Sequence, residues 1–251
     1  MQRFFLNKEC RQKNKIHIHD SAIVHQMNHV MRVKIDDEII CLFNNGEEHL
    51  SKVIAVSKKT VQLEILTSYP NKNELLDELV LIQALPKSKE IWERIIQKSV
   101  ELGVSKIIPL KSSRVSSKFP SDSARIQSII REAAEQSERG VLPELLESKN
   151  INKLPEYLKK DQPQLRVFLA DSYKSKKSPL LLSFIINSSP LVKGSLGIII
   201  GPEGGFTKEE SEFLNKEGID SLSLGASILR VETASTSSLA ILAQNIHCNN
   251  L

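Results

Sequence analysis

Three segments of this 251-residue chain gather residue types that could do chemistry. The first is Gly201-Pro202-Glu203-Gly204-Gly205-Phe206. It follows the apolar run LGIII, and Thr207 with Glu210 fits a capping box for a helix behind it. Glycines at a strand-to-helix turn let backbone come close to a ligand, and ligands favour the carboxyl ends of strands in α/β sheets. The same residues would also suit a tight connecting turn that needs positive φ. The segment is neither a G-x-G-x-x-G fingerprint nor a P-loop, so it names no dinucleotide and no nucleoside triphosphate.

The second segment, Leu222–Ala234 (LSLGASILRVETA), repeats the arrangement. A strand ends at Leu224, Gly225 breaks it, and an irregular run leads to a last helix. Arg230 and Glu232 flank Val231, where a loop could present them to a polar substrate; an exposed Arg–Glu pair at a helix start has the same spacing. The third segment is REAAEQSER. On a helix Glu132, Gln136 and Arg139 fall at i, i+4 and i+7 and share one face. A carboxylate, an amide and a guanidinium in a row can read a base edge and a phosphate, and a solvated face produces the same pattern.

The elements that must position these segments change rhythm along the chain. Up to about Pro70 the sequence is strand-like. EIICLF (38–43) leads into Asn44-Asn45-Gly46, a hairpin signal because both residue types tolerate positive φ. Lys52–Val56 and Thr60–Leu66 supply two more strands, and a small β-barrel or sandwich would close them. Ser68–Asn73 has linker composition, so the expected division is 1–70 and 74–251. Beyond it strands alternate with helices. Leu79–Leu85, Lys106–Leu110, Leu165–Ala170, Leu196–Ile200 and Ser221–Leu224 read as strands. Helices are expected from Ser88 through Leu102, from Ser121 or Asp122 to Gly140, and over Glu232–His247. That alternation predicts an α/β fold with a mostly parallel sheet.

Composition excludes several classes. With 40% hydrophobic and 25% charged residues the chain reads as an ordinary soluble globular protein. Met1–Lys72 carry 11 Lys/Arg against 8 Asp/Glu, and so hold most of the net +4, with five of the six histidines. A basic excess there permits a nucleic-acid partner or a solvated face. Cys10, Cys41 and Cys248 lack CxxC spacing, and the C-terminal region has no His/acidic cluster at ligand spacing, so neither a disulfide framework nor a metal site is expected. MQRFFLNKEC does not read as a signal peptide, its charges coming too early and no apolar core run following, and no apolar stretch approaches the roughly 18 to 20 residues that span a bilayer. The expected location is the cytoplasm.

Taken together, IGPEGGFTKEE, LGASILRVETA and REAAEQSER resemble the motifs of the RsmE family, the 16S ribosomal RNA uridine-N3 methyltransferases of the SPOUT class. The likeness extends to WERIIQKSVELGVSKIIPL, the N-terminal RFF and HVMR, and so spans nearly the whole chain. The resemblance implies a PUA-like RNA-binding β-barrel followed by a knotted parallel-sheet methyltransferase domain with a C-terminal trefoil knot. It implies S-adenosylmethionine as the methyl donor, held by Leu169, Ala170, Gly201, Pro202, Glu203, Gly204, Gly205, Leu224, Gly225, Ile228 and Leu229. It further implies 16S rRNA or the small ribosomal subunit as partner, and a homodimer. Within that reading Arg230, Glu132, Gln136 and Arg139 are the catalytic candidates, and Arg3, Arg11 and Arg32 the RNA-binding ones. The chain departs from the family at Asp36-Asp37, where Gly-Asp is usual. Two other readings are a non-catalytic RNA-binding or ribosome-assembly factor and a SPOUT methyltransferase acting on another RNA.

Overall fold

Asn44 and Gly46 adopt φ of +56° and +77° and turn the chain between β4 (Glu38–Leu42) and β5 (Glu47–Val56), as the Asn-Asn-Gly signal requires. In the computed structural model, which describes residues 1–170, 178–187 and 194–248, this hairpin is the middle of a six-stranded sheet. The other strands are β1 (Arg3–Phe5), β2 (Arg11–Gln12), β3 (Lys15–Ile18) and β6 (Val61–Pro70). Their order is β1-β4-β5-β6-β3-β2, with β1 parallel to β4 and the remaining pairs antiparallel. Register shifts in β5 at Leu50/Ser51 and Val53/Ala55 bend the sheet into a half-barrel. Its inner face holds Phe4, Ile16, Ile18, Ile39, Cys41, Val53 and Leu63, closed over by Ile23 and Val24 of α1 (Ser21–His25) and Met27 of the π-helical turn behind it. The expected linker begins later than its composition implied, because β6 runs through Ser68 to Pro70.

At the family departure, Asp36 has φ +74° and Asp37 accepts from the Lys34 amide at 2.7 Å. Asp36 is the left-handed residue of this turn. Aspartate tolerates this conformation better than most side chains, and its carboxylate lies 2.7 Å from Lys52 Nζ.

The chain divides into one unit made of Met1–Glu74 with Ala134–Leu142, and a second made of Leu75–Ala133 with Pro143–Leu251. In the second, β7 (Leu79–Ala84), β8 (Lys106–Lys111), β9 (Glu144–Leu145), β10 (Lys149–Asn150), β11 (Arg166–Ala170), β12 (Leu196–Ile200) and β13 (Asp220–Leu222) form a wholly parallel sheet. Its order is β10-β8-β7-β12-β11-β13, with β9 also on β8. β7 and β12 are buried along their whole length, as expected for strands covered on both faces. The helices are α2 (Lys89–Glu101), α3 (Ala124–Gln136), α4 (Leu154–Asp161), α5 (Leu181–Asn187), α6 (Lys208–Lys216) and α7 (Val231–Cys248). Ser88 caps α2 through the Ile91 amide, as expected. α3 is capped instead by Ser123, whose Oγ accepts from Ile126 N.

α3 also stops earlier than expected. Glu138 takes φ +61°, and the Arg139 and Glu138 amides bond back to the Ala134 and Glu135 carbonyls. This is a Schellman stop with a non-glycine residue at its left-handed position. The helix therefore ends at Gln136 rather than running to Gly140. In α7, Leu239 and Leu242 are fully buried within the chain, and Ala240 and Ile241 between them are half-buried.

Candidate functional site

The parallel register aligns the carboxyl ends of the central strands. Gln83 of β7 pairs with Ile200 of β12, Leu169 of β11 with Ile199, and Ala170 with Leu222 of β13. Leu169, Ala170, the 201–205 turn and the 224–229 run consequently emerge from three adjacent strands at one end of the sheet.

The 201–205 turn is held from several sides. Gly205, at φ +66°, donates to the Pro202 carbonyl at 2.8 Å. A Cβ on Gly201 would lie 3.2 Å from two ring carbons of Phe206 and 3.3 Å from Gly205 Cα, a close approach in which the ring or the turn would have to give by a few tenths of an ångström. Glu203 accepts from the Lys87 amide at 2.9 Å. Arg114 donates to the carbonyls of Gly204 and Phe206 at 2.6 and 3.2 Å. Behind the turn the capping box of α6 forms as expected from Thr207 and Glu210. The buried Glu210 also accepts from the amide and hydroxyl of Ser113, at 2.7 and 2.9 Å. Lys87, Ser113 and Arg114 escaped sequence reasoning because their loops follow β7 and β8, and only strand order brings those loops beside the glycine turn.

The second loop is more open. Gly225 has φ +130° and a Cβ there would meet nothing, while Ile228 is 75% exposed. Ser223 anchors the loop through backbone bonds with Pro179 and Leu181. Arg230 immediately precedes α7, its carbonyl accepting from Ala234 N at 2.8 Å; its side chain is exposed and makes no ion pair among the described residues. Glu232 lies half-buried in the first turn. An open, apolar-edged loop beside a closed glycine turn suits a flat, partly apolar ligand such as an adenosine.

The REAAEQSER row separates. Glu132 and Gln136 are exposed on α3, whereas Arg139 lies beyond the helix end and only 4% of its side chain is exposed. Its guanidinium meets Glu74 at 2.8 Å through Nη2 and 3.3 Å through Nε, and Glu74 also accepts from the Gly140 and Val141 amides. Arg139 is thus committed to the packing of the first unit, a correction that follows from the helix stop: the i+7 position is not helical.

Arg3 needs the same correction. It meets Glu48 at 2.7 Å and Glu138 at 3.2 Å, with 9% of its side chain exposed. Both carboxylates belong to the first unit. Arg11 and Arg32 are exposed, Arg11 lying 5.7 Å over the Phe43 ring and 3.4 Å from His49 Nε2. Burial and the Arg11 charge hold the His49 imidazole below its usual range, keeping it neutral. Among the described residues, no group of three or more His, Cys, Asp and Glu is arranged to hold a metal, and no helix is long and apolar enough to cross a membrane.

Residues 72–243 match a family described as an RNA methyltransferase domain, and residues 27–66 match an RNA methyltransferase PUA domain. The ribosomal RNA small subunit methyltransferase E of Bacillus subtilis is 33% identical over 93% of each chain. The crystal structure of the protein of that name from Neisseria gonorrhoeae, bound to S-adenosyl methionine, is 27% identical and superposes with a TM-score of 0.81 over 97% of both chains. A putative methyltransferase of Legionella pneumophila in complex with the same cofactor is 25% identical, with a TM-score of 0.80 over 96% of both chains.

Proposed function

The chain belongs to the family of small-subunit ribosomal RNA methyltransferases E, and from that membership we propose that it methylates N3 of a uridine in 16S rRNA with S-adenosylmethionine as donor. The observation that carries this reading is the emergence of the 201–205 and 224–229 loops at the carboxyl ends of β12 and β13, the two strands that flank β11, over the span matched to the methyltransferase family. Bound there, S-adenosylmethionine supplies a methyl group on a positively charged sulfur. Backbone of Gly201 to Gly205 and Leu224 to Leu229, with Leu169 and Ala170, holds it. Because the turn is braced by Arg114, Glu203 and Glu210 before any ligand arrives, little ordering cost is left for binding.

Uridine N3 bears a proton at neutral pH and attacks only after losing it. Arg230, exposed and without an ion pair among the described residues, stabilises the anion that develops at N3 and its flanking carbonyls. Glu232 or Glu132 takes the proton, or water does. Rigid loops align acceptor and donor, worth several kcal/mol of barrier.

Residues 1–70 serve as the PUA-like RNA-binding unit, with Arg11 and Arg32 on phosphates, and 74–251 as the methyltransferase domain carrying the trefoil knot. The site works in the cytoplasm, on rRNA or the small subunit, as a homodimer joined through the second unit. Exposed Leu180, Leu182 and Ile228 there support that last point. Mass spectrometry of 16S rRNA nucleosides from a strain lacking the gene tests the activity. N3-methyluridine undiminished there, or calorimetry showing no S-adenosylmethionine binding, would move the chain to a non-catalytic role or another RNA.

A further inference from the structure

β7 is buried at all six positions, Leu79 to Ala84, and five of them are apolar. The sixth is Gln83, fully buried at the carboxyl end of the strand. An apolar side chain would satisfy the sheet at this position, whereas an amide must find partners for each of its polar atoms or cost stability. Gln83 Nε2 donates to the Ala84 carbonyl at 2.8 Å and lies 3.5 Å from the carbonyls of Ile200 and Gly201. On its other side, Ser235 Oγ sits 2.6 Å from Gln83 Oε1 and 2.8 Å from the Val231 carbonyl. Val231 is the first residue of α7 and follows Arg230. One buried amide therefore touches the residue that opens the glycine turn and, through one hydroxyl, the first turn of the helix that presents Arg230.

We infer that Gln83 is a positioning residue for methyl transfer, fixing the 201–205 turn and the start of α7 relative to each other. The inference rests on the proposed methyltransferase reading. Removing the amide lets the two loops drift by fractions of an ångström without opening the core, and a misplacement near 1 Å can cost about a hundredfold in rate.

The experiment begins with the wild-type chain, whose failure to bind S-adenosylmethionine or methylate 16S rRNA would defeat the functional reading and not the role of Gln83. Given an active wild type, Gln83→Met preserves volume, and Ser235→Ala removes the hydroxyl from the other side. Both should weaken S-adenosylmethionine binding about tenfold and slow single-turnover methylation about ten- to a hundredfold at 20 °C, where both are folded by circular dichroism. Gln83→Glu should be as impaired at pH 8.5, because a carboxylate cannot donate to the carbonyls. Its affinity relative to wild type should recover toward pH 6 as the buried carboxyl takes up a proton and regains a donor. A role in stability alone predicts lower melting temperatures with wild-type affinity and rate in the folded protein. That result, or a Gln83→Glu ratio that stays flat with pH, would overturn the inference. Should Gln83→Met fail to fold, wild-type affinity and rate in Ser235→Ala would overturn it as well.

Discussion

Arg139→Ala should damage folding of the first unit and spare the chemistry. In the structure the arginine gives Glu74 two charge-assisted contacts, at 2.8 and 3.3 Å, with almost none of its side chain in solvent. Charge-assisted hydrogen bonds contribute about 1.5 to 3 kcal/mol each, and breaking a buried ion pair costs about 3 to 5 kcal/mol. Two features lower the figure for this variant. Glu74 keeps the Gly140 and Val141 amides, and a quarter of its side chain reaches solvent. The loss should therefore fall near 2 to 3 kcal/mol. Glu74→Ala should cost more, about 3 to 5 kcal/mol, because it deprives a buried guanidinium and two backbone donors of their common acceptor at once. The double variant should be no worse than Glu74→Ala. For a unit of this size each kcal/mol lowers the melting temperature by roughly 4 to 8 °C, so calorimetric melts separate the variants readily. Single-turnover methylation at low temperature completes the assay. A melting curve matching wild type, combined with a hundredfold slower methyl transfer by Arg139→Ala, would refute the reasoning and return this arginine to the reacting base.

Three further outcomes are expected. Gly201→Val should abolish S-adenosylmethionine binding by calorimetry while the far-ultraviolet spectrum stays native, since its Cβ would crowd the Phe206 ring at 3.2 Å; wild-type affinity would show that this turn does not hold the donor. Arg230→Ala should slow single-turnover methylation at saturating rRNA about a hundred- to a thousandfold, with lysine rescuing only part; an unchanged rate constant would remove Arg230 from the chemistry. Since His49 has a folded pKa below its unfolded value, the unfolded chain binds the extra proton, and stability should fall as pH drops below about 6.5. His49→Asn should flatten that part of the pH dependence of the melting temperature, and an undiminished slope would assign it to other groups.

Local signals were legible wherever a single turn or cap decides the outcome. The Asn44–Gly46 hairpin, the Ser88 cap and the Thr207–Glu210 capping box all form from neighbours in sequence. The glycine spacing likewise marked the 201–205 turn, because the need for a side-chain-free position is local. The α3 stop was hidden for the opposite reason: Gly140 carries the usual stop signal, yet Glu138 takes the left-handed conformation and Arg139 leaves the helix to reach Glu74. Helical spacing then placed Arg139 on a face that does not exist. Gln83, Ser113 and Arg114 were illegible because their partners lie about 90 to 150 residues away, and no periodicity encodes the order in which parallel strands pair.

The first unit is not a continuous stretch of chain, and this sets the timetable of its synthesis. Its sheet is complete by Pro70, yet Arg3, Phe5, Asn44, Asn71 and Glu74 find partners among residues 135 to 142. At about 5 to 20 residues per second, the intervening segment from Leu75 to Ala133 takes roughly 3 to 12 seconds to translate. Through that interval the nascent half-barrel waits with Glu74 lacking its arginine and β1 lacking the Glu135 carboxylate that anchors the Phe5 amide. Its final stability is conferred only when the ribosome has released a helix end encoded far downstream, so a nascent chain arrested before residue 142 should expose this unit to proteases that the finished protein resists.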